Sequence, residues 1–258
     1  MTLACSTPAR LAAALLALTA GAAHADLPPL LLDGFDNPSP PLSATAIGTG
    51  LQFASRSIGT FAGIPGQVRD ASFTMSYDLN GQGIGVSLGG GDAHIQASPG
   101  ALGEYLFSYG AFSSPGGPFM GLDLRAYNDL QVSFSAVDKG LNLVAVLYTA
   151  APRLLPDGTP LYYLETGINT APASPGAPLT ADLLLDARDP VNGPESAYFN
   201  FAQVDGLFFV IDRSGFSAGN RYTLDSLQFA ALPVPEPAPG ALLLAGLGCV
   251  ALLMRRRA

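Results

Sequence analysis

The chain has 258 residues, with 12 basic and 20 acidic side chains, 30 glycines, 22 prolines, two cysteines and no tryptophan. A formal charge of −8 repels nucleic acid and anionic lipid, so the body of the protein is expected to bind no nucleic acid and to favour divalent cations or neutral polymers. Cys5 and Cys249 sit near opposite ends, which leaves everything between them without a disulfide or a thiolate metal site.

Residues 1–25 have the order of a secretory signal peptide: Arg10 in a short leading region, an apolar run from Leu11 to Ala22, then Ala23-His24-Ala25 as a small-x-small cleavage site. Signal peptidase would act after Ala25, using Ala23 and Ala25, so that the mature chain starts at Asp26. The alternative is a buried N-terminal helix, which the following Asp-Leu-Pro-Pro gives no helical continuation. With Arg10 and the three terminal arginines set aside, eight basic residues face all 20 acidic ones between Asp26 and Glu236, a balance of −12.

Residues 26–232 read as one all-β domain, an antiparallel β-sandwich. Alternation of apolar and polar residues predicts strands over Ala71–Asp78, Gly83–Leu88, Ala93–Ala97, Leu102–Tyr109, Leu161–Glu165, Leu179–Leu185, Gly206–Asp212 and Tyr222–Phe229. Leu130–Ala136 and Leu141–Tyr148, joined by Asp138-Lys139-Gly140, are expected to form a hairpin. The glycine-dense stretches Gly81–Gly85 and Gly89–Gly91 return directly to alternation with no helix opening, which marks turns rather than a phosphate cradle. Pro152–Pro160 and Ala171–Pro178 are expected to be surface loops.

The end of the chain has three parts. Residues 233–240 form a Pro-rich stalk, the apolar run Ala241–Met254 follows, and Arg255, Arg256 and Arg257 close the sequence. At 1.5 Å per residue the apolar run covers only about 21 Å of a hydrocarbon core about 30 Å thick, and starting from Pro237 makes it a marginal transmembrane helix. The arginines would stay in the cytoplasm and place the body beyond the inner membrane.

Val234-Pro235-Glu236-Pro237, the Leu/Ala/Gly-rich run and the arginine cluster together resemble the PEP-CTERM sorting signal. The resemblance implies processing by an exosortase, a membrane-embedded cysteine transpeptidase-like enzyme of Gram-negative bacteria that make extracellular polysaccharide, with Pro235, Glu236 and Pro237 as the recognition motif. Prolines fix φ and lack a donor, so the tripeptide would stay extended and accessible above the membrane. A tail anchor without cleavage is the alternative.

The order LLLDGFDN, then LQVSFSAVDKGLNLVAVLYT, PLTADLLLDA, DGLFFVIDRS and RYTLDSLQF is similar to the galactose-binding-like jelly roll of carbohydrate-binding modules. That resemblance implies that the first and last strands lie side by side and that Asp33, Asp36 and Asp225 share a structural calcium ion, whose roughly six to eight oxygen ligands backbone carbonyls and water would complete. Otherwise Asp33 and Asp36 are turn residues and Asp225 a solvated strand residue. Sugar binding in such modules rests on aromatic platforms, and here Tyr162 and Tyr163 are the candidate glycan contacts, since a strand would turn one of the two rings outward.

Catalysis is not expected. His94 is the one histidine of the mature region, no Gly-x-Ser-x-Gly elbow occurs, and zinc chemistry lacks ligands. Asp182, Asp186, Asp189 and Glu195 form the acidic group that a matrix polysaccharide hydrolase would use, or else solvated turn chemistry. The leading expectation is therefore an exported structural or adhesive β-sandwich, anchored transiently in the inner membrane and then delivered to the cell surface or extracellular matrix with exopolysaccharide as a partner. The alternative is a calcium-stabilised, lectin-like carbohydrate-binding module.

Overall fold

The computed structural model describes residues 27–36, 39–44, 48–60, 68–81, 83–113, 117–186, 193–212 and 219–231. The signal segment with Ala23 and Ala25, the motif Pro235-Glu236-Pro237, the apolar run, Arg255–Arg257 and Asp189 lie outside the described residues. No helix among the described residues is long and apolar enough to cross a membrane.

Among the described residues thirteen strands run in chain order: β1 Leu30–Asp33, β2 Ser39–Ala44, β3 Gly48–Thr60, β4 Val68–Asp78, β5 Ile84–Leu88, β6 Ala93–Ala97, β7 Ala101–Gly110, β8 Asp129–Val137, β9 Leu141–Leu154, β10 Pro160–Ala171, β11 Leu179–Leu184, β12 Gly206–Ile211 and β13 Arg221–Ala230. One helical turn, α1 Gly193–Ser196, precedes β12. A seven-stranded sheet has the order β11-β8-β13-β6-β5-β2, with β1 also on β13, and a six-stranded sheet has the order β10-β9-β12-β7-β4-β3. Every pairing is antiparallel.

The two sheets meet because each strand carries one apolar face. Leu130, Val132 and Phe134 of β8 face Leu141, Leu143, Ala145 and Leu147 of β9 and the buried Tyr105, Phe107 and Tyr109 of β7 through a shared core. Truncating such a buried ring to alanine typically costs about 3–5 kcal/mol, so these positions dominate the packing. In β13, Tyr222 and Leu224 are buried, and so are Leu227 and Phe229, one position out of phase with them. The register shift between Leu224 and Ser226 resolves this: one irregular step lets both halves of the strand aim inward. It also divides the strand's neighbours, with Arg221–Leu224 against β6 and Leu227–Phe229 against β1.

The expected hairpin over Leu130–Tyr148 does not form. β8 pairs with β11 and β13 in one sheet, β9 with β10 and β12 in the other, so Asp138-Lys139-Gly140 arches between sheets. The arch is stapled to the start of β13: Asp138 N donates to Arg221 O, and Lys139 N donates to Asn220 Oδ1. Both runs have a strongly apolar face, and burying the two faces against each other removes more apolar area from water than an edge-to-edge pairing would. The Pro-rich loop over 152–160 also contracts, since β9 continues to Leu154 and β10 begins at Pro160. The Gly89–Gly91 turn closes the β5–β6 hairpin with φ of 132°, 78° and 95°, values that only glycine adopts without strain.

The first and last strands are neighbours, Leu30 opposite Phe229 and Asp33 opposite Leu227. That adjacency leaves Asp33 buried, 3% exposed, at the end of β1.

Candidate functional site

Two features stand out, one inside the sandwich and one on its surface. Inside, Asp33 at the end of β1 is buried against Arg69 of β4, whose Nη1 donates to Oδ2 at 2.8 Å and to Oδ1 at 3.1 Å. Tyr109 of β7 donates its hydroxyl to Oδ2 at 2.9 Å, and Phe35 N donates to Oδ1 at 2.8 Å. Phe35 takes φ of 54°, its ring lies edge-on to Phe107, and the Arg69 guanidinium sits 5.5 Å over it. Burial, and then the Asp33 charge, push the Tyr109 hydroxyl well above its ordinary value, so it remains a donor at every physiological pH. This network joins the first strand of one sheet to two strands of the other.

The calcium expectation meets this network. Asp33 has its charge answered by a guanidinium, which would repel a divalent ion brought to the same carboxylate. Asp36 is exposed with its carboxylate beside Gly34 and Gly91, and Asp225 is half-buried at the irregular step of β13. Among the described residues no group of three or more His, Cys, Asp or Glu side chains is arranged to hold a metal ion. The three aspartates are not gathered into a ligand set.

On the solvent side of the six-stranded sheet, five rings meet. Tyr148 of β9 and Tyr163 of β10 are direct register partners with centroids 5.3 Å apart. Phe112, from the segment after β7, lies 5.6 Å from Tyr148, 6.2 Å from Tyr163 in a stacked orientation, and 6.0 Å from Phe208 of β12. Tyr162 adds a fifth ring 6.4 Å from Tyr163. Gly206 lies beneath Phe112: a Cβ there would come within 3.0 Å of the ring, so the glycine lets Phe112 settle on the sheet. Phe112, Tyr148 and Phe208 are half-buried, whereas Tyr162 and Tyr163 are 41% and 54% exposed. Strict alternation would bury one of that pair. The register shift between Leu161 and Tyr163 instead keeps Leu161 and Leu164 in the core while both rings face water.

The other candidate residues are spread out. Asp182 belongs to a polar ladder across the solvent face of the seven-stranded sheet: Gln131 Nε2 donates to its Oδ1 at 3.1 Å, and Gln228 Nε2 donates to Gln131 Oε1 at 3.1 Å. Asp186 lines a surface groove with Tyr127, Arg153 and Ser196, and Glu195 stands in α1. His94 is exposed, with Nε2 3.1 Å from Asp92 and Nδ1 3.1 Å from Thr223 Oγ1.

No protein-family model matches the chain, and no curated protein does. Solved structures that overlap the chain include a family 29 carbohydrate-binding module complexed with mannohexaose (TM-score 0.33, 14% identity, 70% of this chain and 92% of that one) and a family 11 carbohydrate-binding module from Clostridium thermocellum in complex with a β-1,3-1,4-mixed-linked tetrasaccharide (TM-score 0.35, 11% identity, 79% and 95%). A solution structure of a family 11 module overlaps at a TM-score of 0.37 with 11% identity, over 83% of this chain and 99% of that one. Overlaps this loose transfer neither a ligand nor a residue role.

Proposed function

We propose that this chain is an exported, non-catalytic carbohydrate-binding protein of the cell envelope or exopolysaccharide matrix, with the surface rings Phe112, Tyr148, Tyr162, Tyr163 and Phe208 as its binding platform. The observation that supports this reading is the exposure of Tyr162 and Tyr163 on top of three supporting rings. Aromatic rings left in water at a sheet surface carry an apolar penalty that a stacked partner removes, and the C–H faces of a sugar are such a partner. The acidic balance of the chain disfavours an anionic polymer, so the ligand class is a neutral polysaccharide. This is the lectin-like alternative of the sequence reading, with the Asp33–Arg69 pair tying its sheets together, and it is favoured over a purely structural role by the platform.

Export and sorting remain part of the proposal. Signal peptidase would release the body after Ala25, and exosortase would act at Pro235-Glu236-Pro237 once the apolar run has lodged in the inner membrane. Two experiments test the reading separately. A glycan array probed with the purified chain should show binding to neutral polymers and none to polyuronates; binding to none removes the platform's role. Mass and cell fraction of Glu236→Ala should reveal a longer, membrane-retained form, and processing identical to the unmodified chain removes the sorting claim.

A further inference from the structure

At the end of β12 a second carboxylate is buried with no cationic partner among the described residues. Asp212 takes φ of 57°, its backbone N donates to Asn142 O at 2.7 Å, and Asn220 Nδ2 reaches its Oδ2 at 3.5 Å. Its Oδ1 is sealed from solvent and has no hydrogen-bond partner. Among the described residues the same holds for two hydroxyls, those of Tyr105 in β7 of one sheet and Tyr222 in β13 of the other. The tyrosine rings meet edge to face at 5.8 Å, and after burial itself the Asp212 charge is what pushes both hydroxyls up. Ile211, beside Asp212, is the register partner of Tyr105, and Asn220, which reaches Asp212, lies two residues before Tyr222, so three sealed polar atoms, one acceptor and two donor-acceptors, share one corner of the core without bonding to one another.

Buried polar atoms left unpaired cost on the order of 1–3 kcal/mol each, so three together would be a heavy load for one corner of a core. A guest that accepts from two hydroxyls and donates to a carboxylate relieves all three, and water does this with the three partners typical of a buried water. A calcium ion is a poorer match, since one carboxylate and two neutral hydroxyls fall well short of its roughly six to eight oxygens. We propose that Asp212, Tyr105 and Tyr222 enclose one internal water molecule that bridges β12 and β7 of one sheet to β13 of the other. The bridge accepts from both phenols and donates to Asp212 Oδ1.

Two readouts test this on the full-length chain. Tyr105→Phe and Tyr222→Phe should each lower the melting temperature by about 2–4 °C, the shift that about 1 kcal/mol makes in a domain of this size. A high-resolution crystal structure should show density for one water between the three oxygens. If either variant melts at or above the unmodified chain, the hydroxyls are unsolvated and the proposal fails. Density that shows the hydroxyls bonded directly to Asp212, with no room between them, also overturns it. So does a rise in melting temperature on adding calcium or sodium ions that is absent from Asp212→Asn, because the guest is then a cation.

Discussion

Asp33 and Asp212 are almost equally hidden, at 3% and 1% exposure, yet they meet the same burial in opposite ways. Asp33 is held by a guanidinium, a phenol and a backbone amide. Asp212 has a backbone contact and one long amide contact, and burial raises its carboxyl from 3.8 to about 7. The difference is the partner, which decides whether a buried acid is compensated or strains the fold. Asp33 ties the sheets together through its three partners, whereas Asp212 is accommodated more readily when protonated.

The comparison is broken most severely by removing the partner from Asp33. Arg69→Met should cost about 3–5 kcal/mol in denaturant titration, because it leaves an uncompensated buried charge. A loss below 1 kcal/mol would make the two aspartates equivalent. Next in size is Asp212→Asn. The native state holds a proton on Asp212 that the unfolded chain releases between pH 4 and 7, so stability contributed by this group falls as pH rises through that window and is flat above it. Asparagine removes the ionisation and tolerates positive φ, so the variant should be more stable than the unmodified chain at pH 8, by at most about 4 kcal/mol at 1.36 kcal/mol per unit, and equal to it near pH 4. Equal stability at both pH values would show that Asp212 ionises freely. Smaller still is Tyr109→Phe, which removes one donor from the Asp33 carboxylate and should cost about 1.5–3 kcal/mol in the same titration.

Strand positions were legible from alternation because a half-buried strand writes its burial into every second residue. All eight runs read that way coincide with β4–β7 and β10–β13. Partnership was not legible. The Asp-Lys-Gly turn serves an arch as well as a hairpin, and the choice is made by which apolar faces meet. Asp33 could be singled out from LLLDGFDN, but its partner lies 36 residues away on the other sheet, and no local pattern joins them. Tyr162 and Tyr163 were visible as a pair. Their supporting rings at 112, 148 and 208 come from three other parts of the chain, and only the register of β9, β10 and β12 assembles them. The half-buried phenylalanines alternate with core residues much as strand residues do in any sandwich, so nothing in the sequence marked them as part of a surface.

The proposed function is tested most directly by isothermal titration of the chain and of Tyr163→Ala with soluble β-glucan, galactomannan and dextran. Tyr163 is over half exposed, so its truncation should leave the melting temperature unchanged while weakening binding to at least one polymer tenfold or more, about 1.4 kcal/mol. Heat of binding that is absent for every polymer, or identical with and without the Tyr163 ring, would contradict the assignment of this surface to carbohydrate recognition.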